Sequence, residues 1–310
     1  MPGFRVGLFL LDRLNDYQAL QQSDCEKAAR RHDLRLTVWS ADKNVDTQIR
    51  QIRAQLAENE SNRPRALIVC PVSEMALLPL VHDAAKLGVA WVFLSRWTDS
   101  IHDFRRQYPK VPIFAVLPDQ LEIGRIQGQQ LRAFLRAGDE VVSIQGPIGT
   151  YSTRLRRAGL EGELADKTGL RWSRFNGDWS ELGGESAMKN WLSTFPISRV
   201  PEFVIAAQND SMAAGAREAF LNWATGNSQP PRADLTVLGC DGSPAFGQRL
   251  VAEGKLRATV VVPPVSGRAV EEIVAALRSG RQPVAETKVS VSSYPDLGTL
   301  SSAAARGRQR

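Results

Sequence analysis

The sequence predicts an α/β fold in two lobes, each a doubly wound parallel sheet with helices on both faces. Three observations carry that prediction. Short apolar runs of strand length alternate with helical patterns along almost the whole chain, which is how parallel strands connect. Strand runs such as 66–70 and 89–94 are apolar throughout rather than alternating, as strands covered on both faces must be. The alternation breaks once, at residues 101–112, before a second series begins, and 310 residues suffice for two lobes but exceed what one needs.

In the first series, residues 6–11 read as a buried strand and residues 16–31 as a helix. Residues 34–39 form the next strand. Val45, Ile49, Ile52 and Leu56 then fall on one helical face. Residues 66–70 are a third strand. Ser73 caps the helix that follows and Gly88 closes it. Residues 89–94 are a fourth strand. The polar stretch 101–112 is read as a break, with a short strand at 113–117 and a helix over 121–136 after it. The second series has strands at 140–145, 170–175, 203–207, 235–238 and 256–262, with helices near 153–165, 181–194, 211–224 and 244–253. A helix at 266–279 and a last strand at 288–291 complete it. The tail from Ser301 is small, polar and basic, and is expected to be disordered.

Composition narrows the function. Hydrophobic residues make up 43% and charged residues 23%, an ordinary globular mixture. The net charge is +6, but Arg306, Arg308 and Arg310 in the tail supply part of it and the remaining basic residues are dispersed, so nucleic acid is not an expected partner. Cys25, Cys70 and Cys240 are far apart and odd in number, which argues against a disulfide framework. His32, His82 and His102 have no metal-ligand spacing, and no cofactor is expected. No segment is apolar for long enough to span a bilayer.

Ligands of open parallel sheets bind beyond the carboxyl ends of the strands. Those ends carry Asp12, Asn15, Asp16 and Tyr17; Cys70, Pro71 and Ser73; Ser95, Arg96 and Trp97; Gln145, Tyr151 and Arg154; Asp178 and Trp179; Gln208, Asn209 and Asp210; and Asp241. Sugars are recognised by such a mixture. Carboxylates and amides pair with neighbouring hydroxyls, guanidinium donates a fork of hydrogen bonds, and aromatic faces cover the C–H side of the ring. Local roles compete for several of them. Asp210 directly precedes a helix and suits an N-cap, with Asn209 favoured as the ligand contact. Asp241 stands in a turn-like Gly239-Cys240-Asp241-Gly242 string. Trp179 suits a core, and Arg154 shares a charge run with Arg156 and Arg157 that suits a solvated helix face.

At these residues the chain resembles the type I periplasmic sugar-binding proteins, near the ribose-binding group, and their relatives the ligand domains of lactose-repressor-type regulators. The strings that carry the resemblance are Ile144-Gln145-Gly146-Pro147-Ile148-Gly149-Thr150, Ala207-Gln208-Asn209-Asp210-Ser211-Met212-Ala213-Ala214-Gly215-Ala216, Val237-Leu238-Gly239-Cys240-Asp241-Gly242-Ser243-Pro244 and Glu253-Gly254-Lys255-Leu256-Arg257-Ala258-Thr259. The resemblance implies two Rossmann-like lobes joined by a three-strand hinge, one of residues 1–117 plus 262–287 and one of 118–261 plus 288–310. It also implies a ligand between the lobes whose binding favours closure. The sugar contacts it implies are Asn15 or Asp16, Tyr17, Ser95, Arg96, Arg154, Trp179, Asn209 and Asp241. The implied partners are a sugar or sugar-like solute and the membrane permease of an ABC-type transporter, for a monomeric protein of the periplasm whose signal segment has been removed.

Three positions depart from the ribose pattern. Cys70-Pro71 replaces Asn-Pro, Ser95-Arg96 replaces Asp-Arg, and Val262 stands where a Gln is usual. A carboxylate is lost while both arginines stay, so an anionic or less hydroxylated ligand is admitted. The alternative is the ligand domain of a lactose-repressor-type regulator, cytoplasmic in that case, or of a receptor sensor, with its output module missing: a regulator would carry a helix-turn-helix module before the first strand, where this sequence has three residues before Phe4. For an enzyme, the chain lacks a Walker loop, a G-x-G-x-x-G and a G-x-S-x-G. Asp16 and Asp241 as a glycosidase pair is the remaining catalytic reading, set against plain hydrogen bonding to ligand.

Overall fold

A computed structural model of the chain describes residues 3–13, 16–136, 138–195, 202–228 and 235–307. It divides into two compact units, one of residues 1–118 and 264–289 and one of residues 119–263 and 290–310. The chain therefore passes from one unit to the other three times.

The first unit holds a six-stranded sheet in the order β11-β5-β4-β3-β1-β2. Its strands are β1 (Arg5–Leu10), β2 (Arg35–Ser40), β3 (Ala66–Val69), β4 (Ala90–Leu94), β5 (Ile113–Pro118) and β11 (Glu286–Val289). All of its pairings are parallel. The connecting helices are α1 (Asp16–Arg31), α2 (Val45–Leu56), α3 (Glu74–Lys86), α4 (Ser100–Gln107) and α10 (Ser266–Ser279). Every residue of β3, β4 and β5 is buried, as a sheet covered on both faces requires.

The second unit repeats the plan with β6 (Glu140–Gln145), β7 (Arg171–Asn176), β8 (Phe203–Ala207), β9 (Val237–Asp241), β10 (Ala258–Val261) and β12 (Ser292–Tyr294), in the order β12-β10-β9-β8-β6-β7. Only β12 runs antiparallel to its neighbour. Its helices are α5 (Gln120–Arg132), α6 (Tyr151–Glu163), α7 (Glu181–Leu192), α8 (Asp210–Gly226), α9 (Gly247–Ala252) and α11 (Leu297–Gly307). Helices α5 and α6 meet backbone to backbone: a Cβ on Gly124 would stand 2.0 Å from the Arg156 carbonyl oxygen, and one on Gly159 would stand 2.1 Å from that of Leu121.

Three regions differ from the sequence reading. The stretch read as a break contains α4, a short helix that buries only Ile101 and Phe104. Two apolar positions three apart among charged neighbours are too little periodicity to stand out. The last strand, expected at 288–291, is two strands: β11 ends at Val289 in the first unit, and β12 begins at Ser292 in the second. Of the tail expected to be disordered, residues 301–307 belong to α11, and the rest lies outside the described residues. Asp296 starts the helix by accepting from the Thr299 amide at 2.9 Å, and Leu300 is buried against the Leu131, Leu160 and Leu238 cluster. A single well-placed cap and one buried leucine thus outweigh the polar composition.

Candidate functional site

In parallel sheets the polar side chains available to a ligand gather at the carboxyl ends of the strands, where the helices begin. In the second unit these side chains form a connected set. Thr150 caps α6, its Oγ1 accepting from the Thr153 amide at 3.4 Å. Gln208, at the end of β8, ties three elements together: its Oε1 accepts from the Gly146 amide at 3.0 Å and its Nε2 donates to the Thr153 carbonyl at 3.1 Å. Asn176, at the end of β7, donates to the Gly146 carbonyl at 2.6 Å.

Arg156 lies at the centre of this set and is only 6% exposed. Its Nε donates to Gln120 Oε1 at 2.8 Å, its Nη1 donates to the Gln208 carbonyl, and Nη1 stands 3.6 Å from Asp241 Oδ1. The guanidinium carbon sits 5.6 Å from the centre of the Trp179 ring, within cation–π range. Trp179 packs where Gly146 leaves room, since a Cβ there would stand 2.1 Å from the indole edge. The Trp179 carbonyl accepts from Asn209 Nδ2 at 2.9 Å. Trp179, Asn209, Arg156 and Asp241 are thereby linked. Arg154, two residues from Arg156 and so on a different face of the helix, is exposed, with its guanidinium carbon 5.9 Å from the Tyr151 ring centre. Of the two arginines, Arg156 is the one that the fold turns toward Trp179, Gln208 and Asp241, while Arg154, the expected ligand contact, stands exposed on the same helix.

The N-cap expected at Asp210 falls to Asn209 instead. Asn209 is the N-cap of α8, its Oδ1 accepting from the Met212 amide at 2.9 Å. Asp210 is 2% exposed and braces the turn after β9. One of its oxygens accepts from the Gly242 amide and the other from Thr259 Oγ1, each at 2.7 Å. Gly239 and Gly247 make room for it, since a Cβ on either would stand 2.1 or 2.0 Å from a carboxylate oxygen. Because α8 begins one residue later than Asn209, the cap falls to the asparagine and the aspartate points down into the unit.

The first unit presents a smaller and less satisfied set. Ser95 ends β4, is 5% exposed, and its hydroxyl has no hydrogen-bond partner among the described residues. Arg96 follows it, with Nε 3.2 Å from Oε1 of Glu74 on the first turn of α3. The loss of a strand-end carboxylate inferred from Ser95 is thus made good from a neighbouring helix. Sequence reasoning missed Glu74 because the compensating group lies 22 positions away. Cys70 is buried below them. Burial pushes its thiol up, the Arg96 charge acts in the opposite sense, and Glu74 adds to the rise. Gln48 holds the adjoining loop, donating to the Cys70 carbonyl at 2.9 Å and accepting from the Val72 amide at 2.8 Å. Tyr17 is buried and Asp16 half-buried at the start of α1, while Asn15 lies outside the described residues. Asp12 is 3.8 Å from Lys43 Nζ. Val262, in the second unit, is buried at 1% exposure and presents no polar group.

Backbone conformation marks the same positions. Ser95, Trp179 and Asp241 have φ of 60°, 71° and 95°, in the left-handed region that non-glycine residues avoid. Such strain persists where surrounding structure enforces it, commonly at ligand sites. Among the described residues no group of three or more His, Cys, Asp or Glu is placed to hold a metal ion, and no helix is long and apolar enough to cross a membrane.

Two parallel-sheet units with polar side chains gathered at their strand ends define the class of a solute-binding protein for a small polar ligand. Residues 6–282 match the periplasmic binding protein domain, and the chain belongs to that family. It is similar to a D-ribose/D-allose-binding protein of Pseudomonas aeruginosa, 25% identical over 261 residues that cover 82% of this chain and 76% of that one. A xylitol-binding protein of Mycolicibacterium smegmatis is 24% identical over 242 residues, covering 77% of this chain and 62% of its own length. The fold is that of the periplasmic binding protein component of the arabinose ABC transporter from Shewanella sp. ANA-3, solved with α- and β-L-arabinofuranose, at a TM-score of 0.80 and 22% identity, covering 98% of this chain and 96% of that one. These relatives are binding proteins, not enzymes.

Proposed function

We propose that this chain captures a sugar or sugar derivative with the polar side chains at its strand ends and delivers it, in the periplasm, to the membrane permease of an ABC-type importer. The observation that carries the reading is the linked set of Trp179, Arg156 and Asp241. It offers a flat apolar face, a guanidinium donor and a carboxylate acceptor within one neighbourhood. Vicinal hydroxyls need a donor and an acceptor side by side, and the C–H face of a sugar ring needs an aromatic surface. Nε and Nη1 of Arg156 are engaged by the protein, which fixes the guanidinium beside Trp179 and Asp241. Asn15, Asp16 and Tyr17 are the contacts proposed for the start of α1, and Ser95 and Arg96 those for the end of β4. The names of the relatives favour this chemistry: ribose, allose, xylitol and arabinose are all polyhydroxylated.

The test is a thermal-shift screen of the purified chain against pentoses, hexoses, polyols, sugar acids and phosphorylated sugars. A ligand that binds only the folded state adds about 2.7 kcal/mol at 100 times its dissociation constant. A rise in Tm with one class, abolished by Asp241→Ala, is the expected result. A folded protein whose Tm moves with no member of the panel refutes the sugar reading.

A further inference from the structure

We propose that Glu74 sets the charge preference of the ligand site: it cancels the Arg96 guanidinium, so the strand-end set of the first unit selects an uncharged polyhydroxylated solute and rejects the corresponding acid. This rests on the sugar-binding reading and specifies its substrate class.

The argument starts from Arg96. An arginine at a ligand site is by itself a receptor for carboxylate or phosphate, because its planar fork matches both. Here the guanidinium is already matched. Its Nε lies 3.2 Å from Glu74 Oε1, with the two side chains only 11% and 23% exposed. Charges that close in a partly desolvated place are weakly screened, and a third charge brought up to the pair meets both signs. An incoming carboxylate would gain from Arg96 and lose to Glu74, and would still shed its own hydration. A hydroxyl loses much less hydration and can donate to Glu74 or accept from Arg96.

A second feature points to a ligand at the same place. Glu74 Oε1 faces Arg96 without a hydrogen bond of good geometry, and the buried Ser95 hydroxyl has no partner among the described residues. Buried polar atoms are seldom left this way, because each costs about 1–3 kcal/mol when unsatisfied. Ser95 is also one of the few non-glycine residues held at positive φ. A carboxylate oxygen held by an ion pair rather than a hydrogen bond, and a hydroxyl without a partner among the described residues, suit the donors and acceptors of a polyol.

Rejection by a fixed like charge is specificity through an unfavourable contact, which binding energy to the right ligand alone does not supply. It follows that removing the carboxylate should change which ligand is preferred, rather than only weakening binding.

Isothermal titration of the intact chain with D-ribose, D-allose and xylitol, each beside its acid (D-ribonate, D-allonate, xylonate), tests this. For the wild type the neutral member should bind at least about 30-fold more tightly, and Glu74→Gln should cut that ratio at least about tenfold by strengthening the acid, a factor worth 1.4 kcal/mol. Glu74→Asp, which keeps the charge, should restore the neutral preference. Arg96→Gln should move the ratio the opposite way, further against acids, and this second variant decides the matter if Glu74→Gln does not fold. A ratio unchanged in Glu74→Gln while the wild type binds a neutral sugar overturns the role of Glu74 and leaves the sugar reading intact. A wild type that prefers the acids overturns it as well. Binding of none of the six by a folded wild type overturns both together.

Discussion

Seven of the eight buried side-chain polar atoms without a hydrogen-bond partner among the described residues belong to the first unit, on Gln21, Trp39, Gln51, Glu74, Trp91, Ser95 and Gln282; the second unit has only Gln130 Oε1. The two units share one strand order, yet they finish their strand ends differently. In the second, Gln208, Asn176, Asn209 and Asp210 bond to neighbouring backbone, and Arg156 is held by Gln120, Gln208 and Asp241. In the first, Ser95 Oγ and Glu74 Oε1 have no hydrogen-bond partner among the described residues, Glu74 being held by its ion pair with Arg96. The contrast teaches that one unit is a preassembled platform whose geometry is set by the protein, whereas the other leaves part of its polar inventory to the ligand. Mutations should therefore damage folding in the second unit and selectivity in the first.

The largest effect should come from Arg156→Met. It takes a buried guanidinium away from the partly buried Asp241, from Gln120 Oε1 and from the Gln208 carbonyl, so stability should fall by about 3–5 kcal/mol and ligand binding should be lost, read by urea unfolding and calorimetric titration. Asp210→Ala comes next. It removes acceptors from the Gly242 amide and the Thr259 hydroxyl, and should cost about 2–4 kcal/mol. A loss as small as that of a surface substitution would break the platform argument. A pH series then separates buried thiols from the sites. Burial raises all three cysteines, Cys25 to about 12 from its ordinary 9.0. The unfolded Cys25 thiol ionises near 9 while the folded one does not, so the stabilisation present below pH 9 is lost as pH rises toward 12, by about 1.4 kcal/mol per pH unit. Cys25→Ala should flatten that slope above pH 9 without changing ligand affinity. Smallest of all should be Arg154→Ala, with a stability change under about 0.5 kcal/mol and an affinity change under about threefold. A large loss of affinity in Arg154→Ala with Arg156→Met intact would reverse the assignment of the two arginines.

Much of the fold was legible because both sheets are sealed: apolar runs such as 140–145 and 203–207 coincide with β6 and β8. The start of α1 at Asp16 and the Ser73 cap of α3 also coincide with their signals. The site was legible by strand end but not by side chain. Arg154, Arg156 and Arg157 read alike as a charge run, and only the rotation of α6 on α5, set by Gly124 and Gly159, decides which one is buried. Glu74 was invisible for another reason. The partner of Arg96 arrives from a different element, so no local string shows it. For Asn209 and Asp210 the error was one residue of helix register, which exchanges a cap for a buried brace.

Trp179 has a practical consequence. An indole with a guanidinium over its face emits under the influence of that charge, and this one borders the pair Arg156 and Asp241. Trp91 and Trp191, by contrast, are sealed in the interior. A solute that draws on Asp241 or Arg156 would change the electric field across the Trp179 ring, and its binding should then be readable in solution as a change in indole emission, without a label.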